Sequence, residues 1–253
     1  MSKPLTWQEV LPALEAGLLR AAEPTARGWQ INTDVKKAIL SAFKEGKNQT
    51  TTAEHYKGFI DKDTLPIRQF TLSDGIRIVP GGSAVRVGTY IAKGVIIMPP
   101  SYINIGAYID ESTMVDSHVL VGSCAQIGKR VHLSAGVQIG GVLEPINHNP
   151  VIIEDDAFIG AGCVIVEGVI VKKRAVIAPG VTLSKAIPIY DCVREVLLPS
   201  GSSVPENAIV VPGTRPVNSA WGKKESLQIS CPLIIKYRDE TSDAALELEQ
   251  LLR

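Results

Sequence analysis

The sequence predicts a mainly β protein, a solenoid of short strands flanked by a small helical region and a terminal cap. Three observations predict it. First, from Val85 an aliphatic residue recurs every six positions: Ile91, Ile97, Ile103, Ile109, Val115, Val121, Ile127, Leu133 and Ile139. After a jump of 14 residues the column resumes at Ile153, Ile159, Ile165, Val171, Ile177 and Leu183. Sixteen aliphatic residues in one column do not arise by chance at a frequency of roughly one third. Second, a column of mostly small or β-branched residues lies four positions later, from Thr89, Val95, Ser101 and Ala107 to Val137 and Leu143, then from Ala157 to Ile187. Third, aromatic residues are only 5% while glycine numbers 22, so the core must be filled by compact side chains. Each short strand would turn a corner and place one large aliphatic residue inside.

The elements follow in order. Residues 1–74 read as a helical domain. Trp7, Val10, Leu11, Leu14 and Leu18 fall at helical spacing, and Gly17 lies near the expected end. Val35, Ile39 and Phe43 share the face of a second helix, with Asp34 as its N-cap and Gly46 as its stop. The polar stretch 47–57 reads as loop. Residues 75–212 form the solenoid, in which the small or polar residue after many column aliphatics (Asn104, Asp116, Gly128, Gly160) suits a corner of unusual backbone angle. The jump falls in GGVLEPINHNP, a loop thrown out of the stack. Near the end, Val204, Ala208 and Val210 stand in register for one more rung. Residues 213–253 would cap the stack with the strand PLIIKY and a helix, SDAALELEQLLR.

Composition narrows function. The chain has 253 residues, with 26 Lys+Arg against 26 Asp+Glu, so no basic excess supports nucleic-acid binding. No run of about 18 apolar residues suggests a membrane helix, and the charged N-terminus is no signal peptide. Cys124, Cys163, Cys192 and Cys231 lack C-x-x-C spacing and read as reduced thiols of a cytoplasmic protein. His118, His132 and His148 are separated by 14 and 16 residues, not by whole coils, so they form no ladder of metal ligands. Many imidazoles serve as general bases, yet for these three a packing or surface role is the plainer reading.

The six-residue pattern resembles the hexapeptide-repeat acyltransferases. Longer strings are more specific: MPPSYINIGAYIDESTMVD, VGSCAQIGKRVHLSAGVQIGGVLEP, PVIIEDDAFIGA and IVEGVIV. They resemble the tetrahydrodipicolinate N-succinyltransferase family of the diaminopimelate–lysine pathway, as do LEAGLLRAAEP, VKKAILSAF and DGIRIVPGGSAVRVGTYIA. The resemblance implies a left-handed parallel β-helix, a homotrimer with active sites between subunits, and succinyl-CoA as co-substrate. It implies no metal and no permanently bound cofactor. Competing readings are a related CoA-dependent N-acyltransferase, using acetyl-CoA or another amine, and a solenoid serving only assembly.

The resemblance carries Asp116, in the MVD string, as the catalytic residue contacting the acceptor amine, and Arg77 as an acceptor-binding residue. A guanidinium suits a dicarboxylic substrate because its fork holds a carboxylate bidentately. Ser123 and Glu167 are further candidates for substrate binding. Lys185 and Lys172 are candidates for the CoA phosphates. One departure stands out. The family string GARSEVVEG reads GAGCVIVEG here, and Val164 replaces an acceptor-site Glu. Either Asp116 works alone, or Glu167 or Glu144 substitutes, or the acceptor differs.

Overall fold

The computed structural model describes residues 5–53 and 56–239. Its centre is a parallel β-helix of three faces, each a ladder of two-residue strands. Face 1 stacks Arg77–Ile78, Ile96–Ile97, Met114–Val115, His132–Leu133, Phe158–Ile159 and Val176–Ile177. Face 2 stacks Ala84–Val85, Tyr102–Ile103, Leu120–Val121, Gln138–Ile139, Val164–Ile165 and Thr182–Leu183. Face 3 stacks Tyr90–Ile91, Tyr108–Ile109, Gln126–Ile127, Ile152–Ile153 and Ile170–Val171. Ile97 pairs with Val115 and Val115 with Leu133, so one coil takes three six-residue repeats.

The aliphatic column forms the core. Ile97, Ile109, Ile127, Leu133, Ile139, Ile159 and Ile177 are all fully buried. Each such side chain contributes about 1.5–3 kcal/mol by leaving water. The second column closes beside it, and Thr89, Thr113 and Ser101 satisfy their buried hydroxyls by donating to the carbonyls of Asn104, Gly128 and Asp116. Two members of that column differ from the sequence count. Val151, not Leu143, fills the position after Ile139, because the protruding loop intervenes and Gln126 N donates to Val151 O. Ile189 rather than Ile187 is buried after Leu183.

The corners also correct an expectation. Left-handed backbone falls three residues after most column aliphatics, as at Gly88, Gly106, Ser112, His118, Cys124, Arg130, Gly136 and Gly162, not on the residue immediately after them. Where the immediate follower is a glycine, as at Gly122, Gly128 and Gly160, the reason is room. A Cβ on Gly128 would lie 2.6 Å from Asp155 N, on the next coil.

Helix α1 (Trp7–Glu15) ends before Leu18, which is exposed, and Gly17 turns left-handed at φ 72. Helix α2 (Thr33–Glu45) is capped by Asn32, whose Oδ1 accepts from Val35 N at 3.2 Å, so Asp34 is a first-turn residue and not the cap. The chain enters two residues earlier than expected because Asn32 N is bonded to Ala21 O at the exit of a hairpin, Ala22–Thr25 with Gly28–Ile31. The stretch expected as loop pairs as a second hairpin, Asn48–Ala53 with Tyr56–Lys62. Its threonines favour strand, and cross-strand pairing outweighs its polarity.

The helices pack on the edge between faces 2 and 3. Val10, Leu14, Val35, Ile39 and Ala42 join Ile105 and Cys124 of the solenoid in one cluster. The first hairpin covers face 3, where Arg20 lies 3.6 Å over the Tyr108 ring and Trp29 Nε1 donates to Glu154. At the far end the extra rung forms, with Val204, Ala208 and Val210 fully buried. Strand Ala208–Pro216 pairs with Val176–Ile177 and then antiparallel with Gln228–Tyr237. The short helix α3 (Ala220–Lys224) lies at the hairpin tip. The helix expected over 242–253 lies outside the described residues. No helix among the described residues is long and apolar enough to cross a membrane.

Candidate functional site

The edge between faces 1 and 2 carries Asp116. It follows core residue Val115 on face 1, and the backbone turns outward there. Its Oδ1 accepts from Ser117 N at 2.7 Å, and its backbone oxygen accepts from Ser101 Oγ at 2.8 Å. One carboxylate oxygen is therefore spent on holding the corner. The other has no partner among the described residues. Two residues on, His118 takes the left-handed conformation, φ 62, and is exposed. Its carbonyl accepts from Gln138 Nε2. A cavity of about 270 Å³ opens here, lined by Ser101, Tyr102, His118, Leu120 and Gln138 among others.

The edge between faces 2 and 3 carries Ser123 and Glu167. They sit at equivalent corners two coils apart, about 10 Å along the axis at one ladder spacing per coil. The intervening corner is the protruding loop. Val142 N donates to Ser123 O at 3.1 Å, so the loop root is bonded to the Ser123 corner. Glu167 is exposed, and its Oε2 accepts from Lys185 N at 3.0 Å, which places Lys185 one coil further along the same edge. Glu144 is exposed on the loop.

Arg77 stands exposed on face 1, in register with Ile96, which pairs with Met114. It is thus two rungs, about 10 Å, from the strand that leads into Asp116. Lys172 lies on the third edge, between faces 3 and 1, where its backbone N donates to Val204 O. The fold therefore gathers Ser123, Glu167 and Lys185 on one edge and brings Asp116 near Arg77 on another. Within one chain it does not join these two sets, and it separates Lys172 from Lys185. Val164 faces outward on face 2 in register with Gln138.

His132 is buried and stacks on Phe158 with ring centroids 4.9 Å apart, a packing role. Burial pushes the Cys124 thiol up to about 12, opposed only weakly by nearby Lys36. Burial likewise raises Cys163, whose Sγ donates to Ala178 O. Neither is poised as a thiolate nucleophile. Among the described residues, no three His, Cys, Asp or Glu side chains converge to hold a metal.

Sequence reasoning missed the lining of the cavity, Tyr102 and Gln138, although a signal was there. Both immediately precede a column aliphatic, the position that strand alternation turns outward. It also missed Lys36, whose burial no periodicity reveals, because a lysine on a helix face reads as solvated.

A family model of the N-terminal region of tetrahydrodipicolinate N-succinyltransferase matches residues 6–44, which hold α1, the first hairpin and most of α2. A model of the hexapeptide repeat of succinyl-transferase matches residues 150–185. The chain is 45% identical to a 2,3,4,5-tetrahydropyridine-2,6-dicarboxylate N-succinyltransferase of Polynucleobacter asymbioticus, over 96% of this chain and 87% of that one. It is 47% identical to the protein of that name from Paraburkholderia phymatum, over 95% and 86%. Among solved structures it resembles one from Campylobacter jejuni, provisionally assigned as a 2,3,4,5-tetrahydropyridine-2-carboxylate N-succinyltransferase. The TM-score is 0.56 at 17% identity, over 92% of this chain and 64% of that one, a likeness of fold.

Proposed function

The chain belongs to the tetrahydrodipicolinate N-succinyltransferase family, and from that membership we propose how its edges carry out the reaction. The activity is succinyl transfer to tetrahydrodipicolinate, a step of lysine and diaminopimelate biosynthesis. Succinyl-CoA is the donor that such a transfer implies, and the cytoplasm is the compartment proposed for it.

Asp116 acts on the acceptor. Its unpartnered carboxylate oxygen orients the ammonium of the ring-opened acceptor and takes one proton from it. The freed amine attacks the thioester carbonyl carbon. The tetrahedral oxyanion collapses, the carbon–sulfur bond breaks, and CoA leaves as thiolate, which takes up the proton that the attacking nitrogen gives up as it becomes the amide. Arg77 holds a carboxylate of the acceptor. Ser123 and Glu167 bind the acceptor from the other edge, and Lys185 on that edge meets the CoA phosphates. A thioester is already activated, so positioning and charge stabilisation supply the rate.

The two edges meet only if a second copy takes part. Asp116 and Ser123 bound face 2 on opposite sides. In a threefold ring with face 2 turned to the axis, the Asp116 edge of one copy lies beside the Ser123 edge of the next. Face 2 presents Ala84, Tyr102, Leu120 and Val164 outward along with Gln138 and Thr182, a mainly apolar surface suited to that role. Lys172, on the edge opposite face 2, points away from the axis in such a ring, which leaves Lys185 the better placed of the two lysines.

The observation that carries the reading is the half-bonded carboxylate of Asp116. Its test is CoA release with tetrahydrodipicolinate, comparing succinyl-CoA with acetyl-CoA, for the wild type and Asp116→Asn. Preference for succinyl-CoA and loss of release in the variant support it. Full activity in Asp116→Asn overturns the role of Asp116.

A further inference from the structure

Helix α2 carries a charged residue on its buried face. Lys36 is fully buried beside Val35, Ala38 and Ile39. Its Nζ donates to the backbone oxygen of His148 at 2.7 Å, its one acceptor among the described residues, 112 positions away in sequence. An ammonium out of water is unfavourable unless it is bonded. A methionine would fill the same volume without that penalty. What a lysine provides here, and a methionine does not, is a directed bond to the loop.

The loop occupies the corner between Ser123 and Glu167. At its first root, Gly141 N lies 2.1 Å from the place a Cβ on Gly122 would take, and Val142 N is bonded to Ser123 O. At its second root, Asn149 O lies 2.2 Å from the place a Cβ on Gly168 would take. The roots thus press on the residues adjoining Ser123 and Glu167. Between them the tip makes one turn bond of its own, His148 N to Pro145 O, and Glu144, Pro145, Asn147 and His148 are exposed. Leu143 packs against the helical cluster, and Lys36 supplies the tip's hydrogen bond from outside the loop among the described residues.

We propose that Lys36 is a positioning residue of the acyl-transfer site. It clamps the protruding loop to the helical domain and so fixes the edge on which Ser123 and Glu167 meet the acceptor. The inference rests on the reading of those two residues as acceptor contacts. The bond is to the His148 backbone, so the imidazole is dispensable to it.

The test compares Lys36→Met, Lys36→Arg and His148→Ala by amide hydrogen exchange of the loop and by steady-state kinetics. Lys36→Met is expected to fold, to lose exchange protection at Val142 and His148, and to raise the acceptor KM roughly tenfold to a hundredfold with kcat changed less than about twofold. Lys36→Arg keeps a charged donor and restores protection and KM in large part. His148→Ala behaves as wild type. Unchanged exchange and KM in Lys36→Met, or identical behaviour of the Met and Arg variants, would overturn the proposal. If Lys36→Met does not fold, loss of loop protection in a folded Lys36→Arg also overturns it. Exchange does not depend on the acceptor. A wild type that turns over no tetrahydrodipicolinate, with exchange still following Lys36, rejects the functional reading and leaves the clamp standing.

Discussion

The Tyr237 hydroxyl donates to Asp191 Oδ2 at 2.6 Å, joining the last described strand to the end of the solenoid. Asp191 is 1% exposed, and its Oδ1 accepts from the backbone amides of Val193 and Arg194. Burial opposes its charge, but the hydrogen bonds from Tyr237 and the two amides win and hold the carboxyl below its usual value of 3.8. A depressed carboxyl stabilises the fold above the unfolded value, and that contribution is lost as pH falls through the folded one. Tyr237→Phe should therefore destabilise the protein by about 1.5–3 kcal/mol at neutral pH. The gap in melting temperature from wild type should narrow below about pH 4. Thermal melts across pH check both.

Asp116→Asn should lower kcat by about a hundredfold to ten-thousandfold and leave the melting temperature nearly unchanged. Its corner bond is to Oδ1, which an amide oxygen can replace. An unchanged far-ultraviolet spectrum with absent turnover is the expected pair of results.

Mixed subunits test the shared site. Asp116→Asn and Glu167→Gln are each expected to be impaired. Refolded together, they should regain activity at about a quarter of the sites if each site draws on two copies of a threefold ring. A mixture no more active than its components means that each chain holds its site alone.

Two glycines on neighbouring corners should respond in opposite ways. Gly136 has φ 72 and no atom nearer than 3.8 Å to an added Cβ, so it needs a conformation, not space. Gly136→Asn should cost no more than about 1 kcal/mol, since Asn tolerates the left-handed region. At Gly128 a Cβ would meet the Asp155 and Glu154 backbone at 2.6 and 2.8 Å. Gly128→Ala must push coils apart and should cost more than about 2 kcal/mol. Denaturant melts of the two variants separate the causes.

Thiol chemistry offers another check. Cys192 is exposed, while Cys124 is buried with its thiol raised to about 12. Native protein treated with an alkylating reagent at neutral pH should be modified at Cys192 first and stay unmodified at Cys124 until unfolded, as read by peptide mass. Cys124→Ala should retain turnover.

The repeat was legible because it is a local property. Strand alternation turns every column aliphatic inward and every preceding residue outward, so the column from Val85 to Leu183 sufficed to give a solenoid, its long loop and the last rung through Val210. The corners were read less well. A glycine that needs φ > 0 and a glycine that needs room look alike in sequence, and Gly128 and Gly136 are told apart only once neighbouring coils are stacked. The hairpin over 48–62 was hidden because polar residues carry no burial pattern.

The candidate residues divide in the same way. Asp116, Arg77, Ser123 and Glu167 could be named from short strings, since each string is contiguous. Which edge each occupies, and that Asp116 and Ser123 bound opposite sides of one face, is set by the winding of the coils. Lys36 and His148 meet because α2 packs on the edge from which the loop emerges. The six-residue period is written along the chain, where nearest neighbours decide it. The site and its clamp depend on segments far apart in sequence, and tertiary packing alone brings those together.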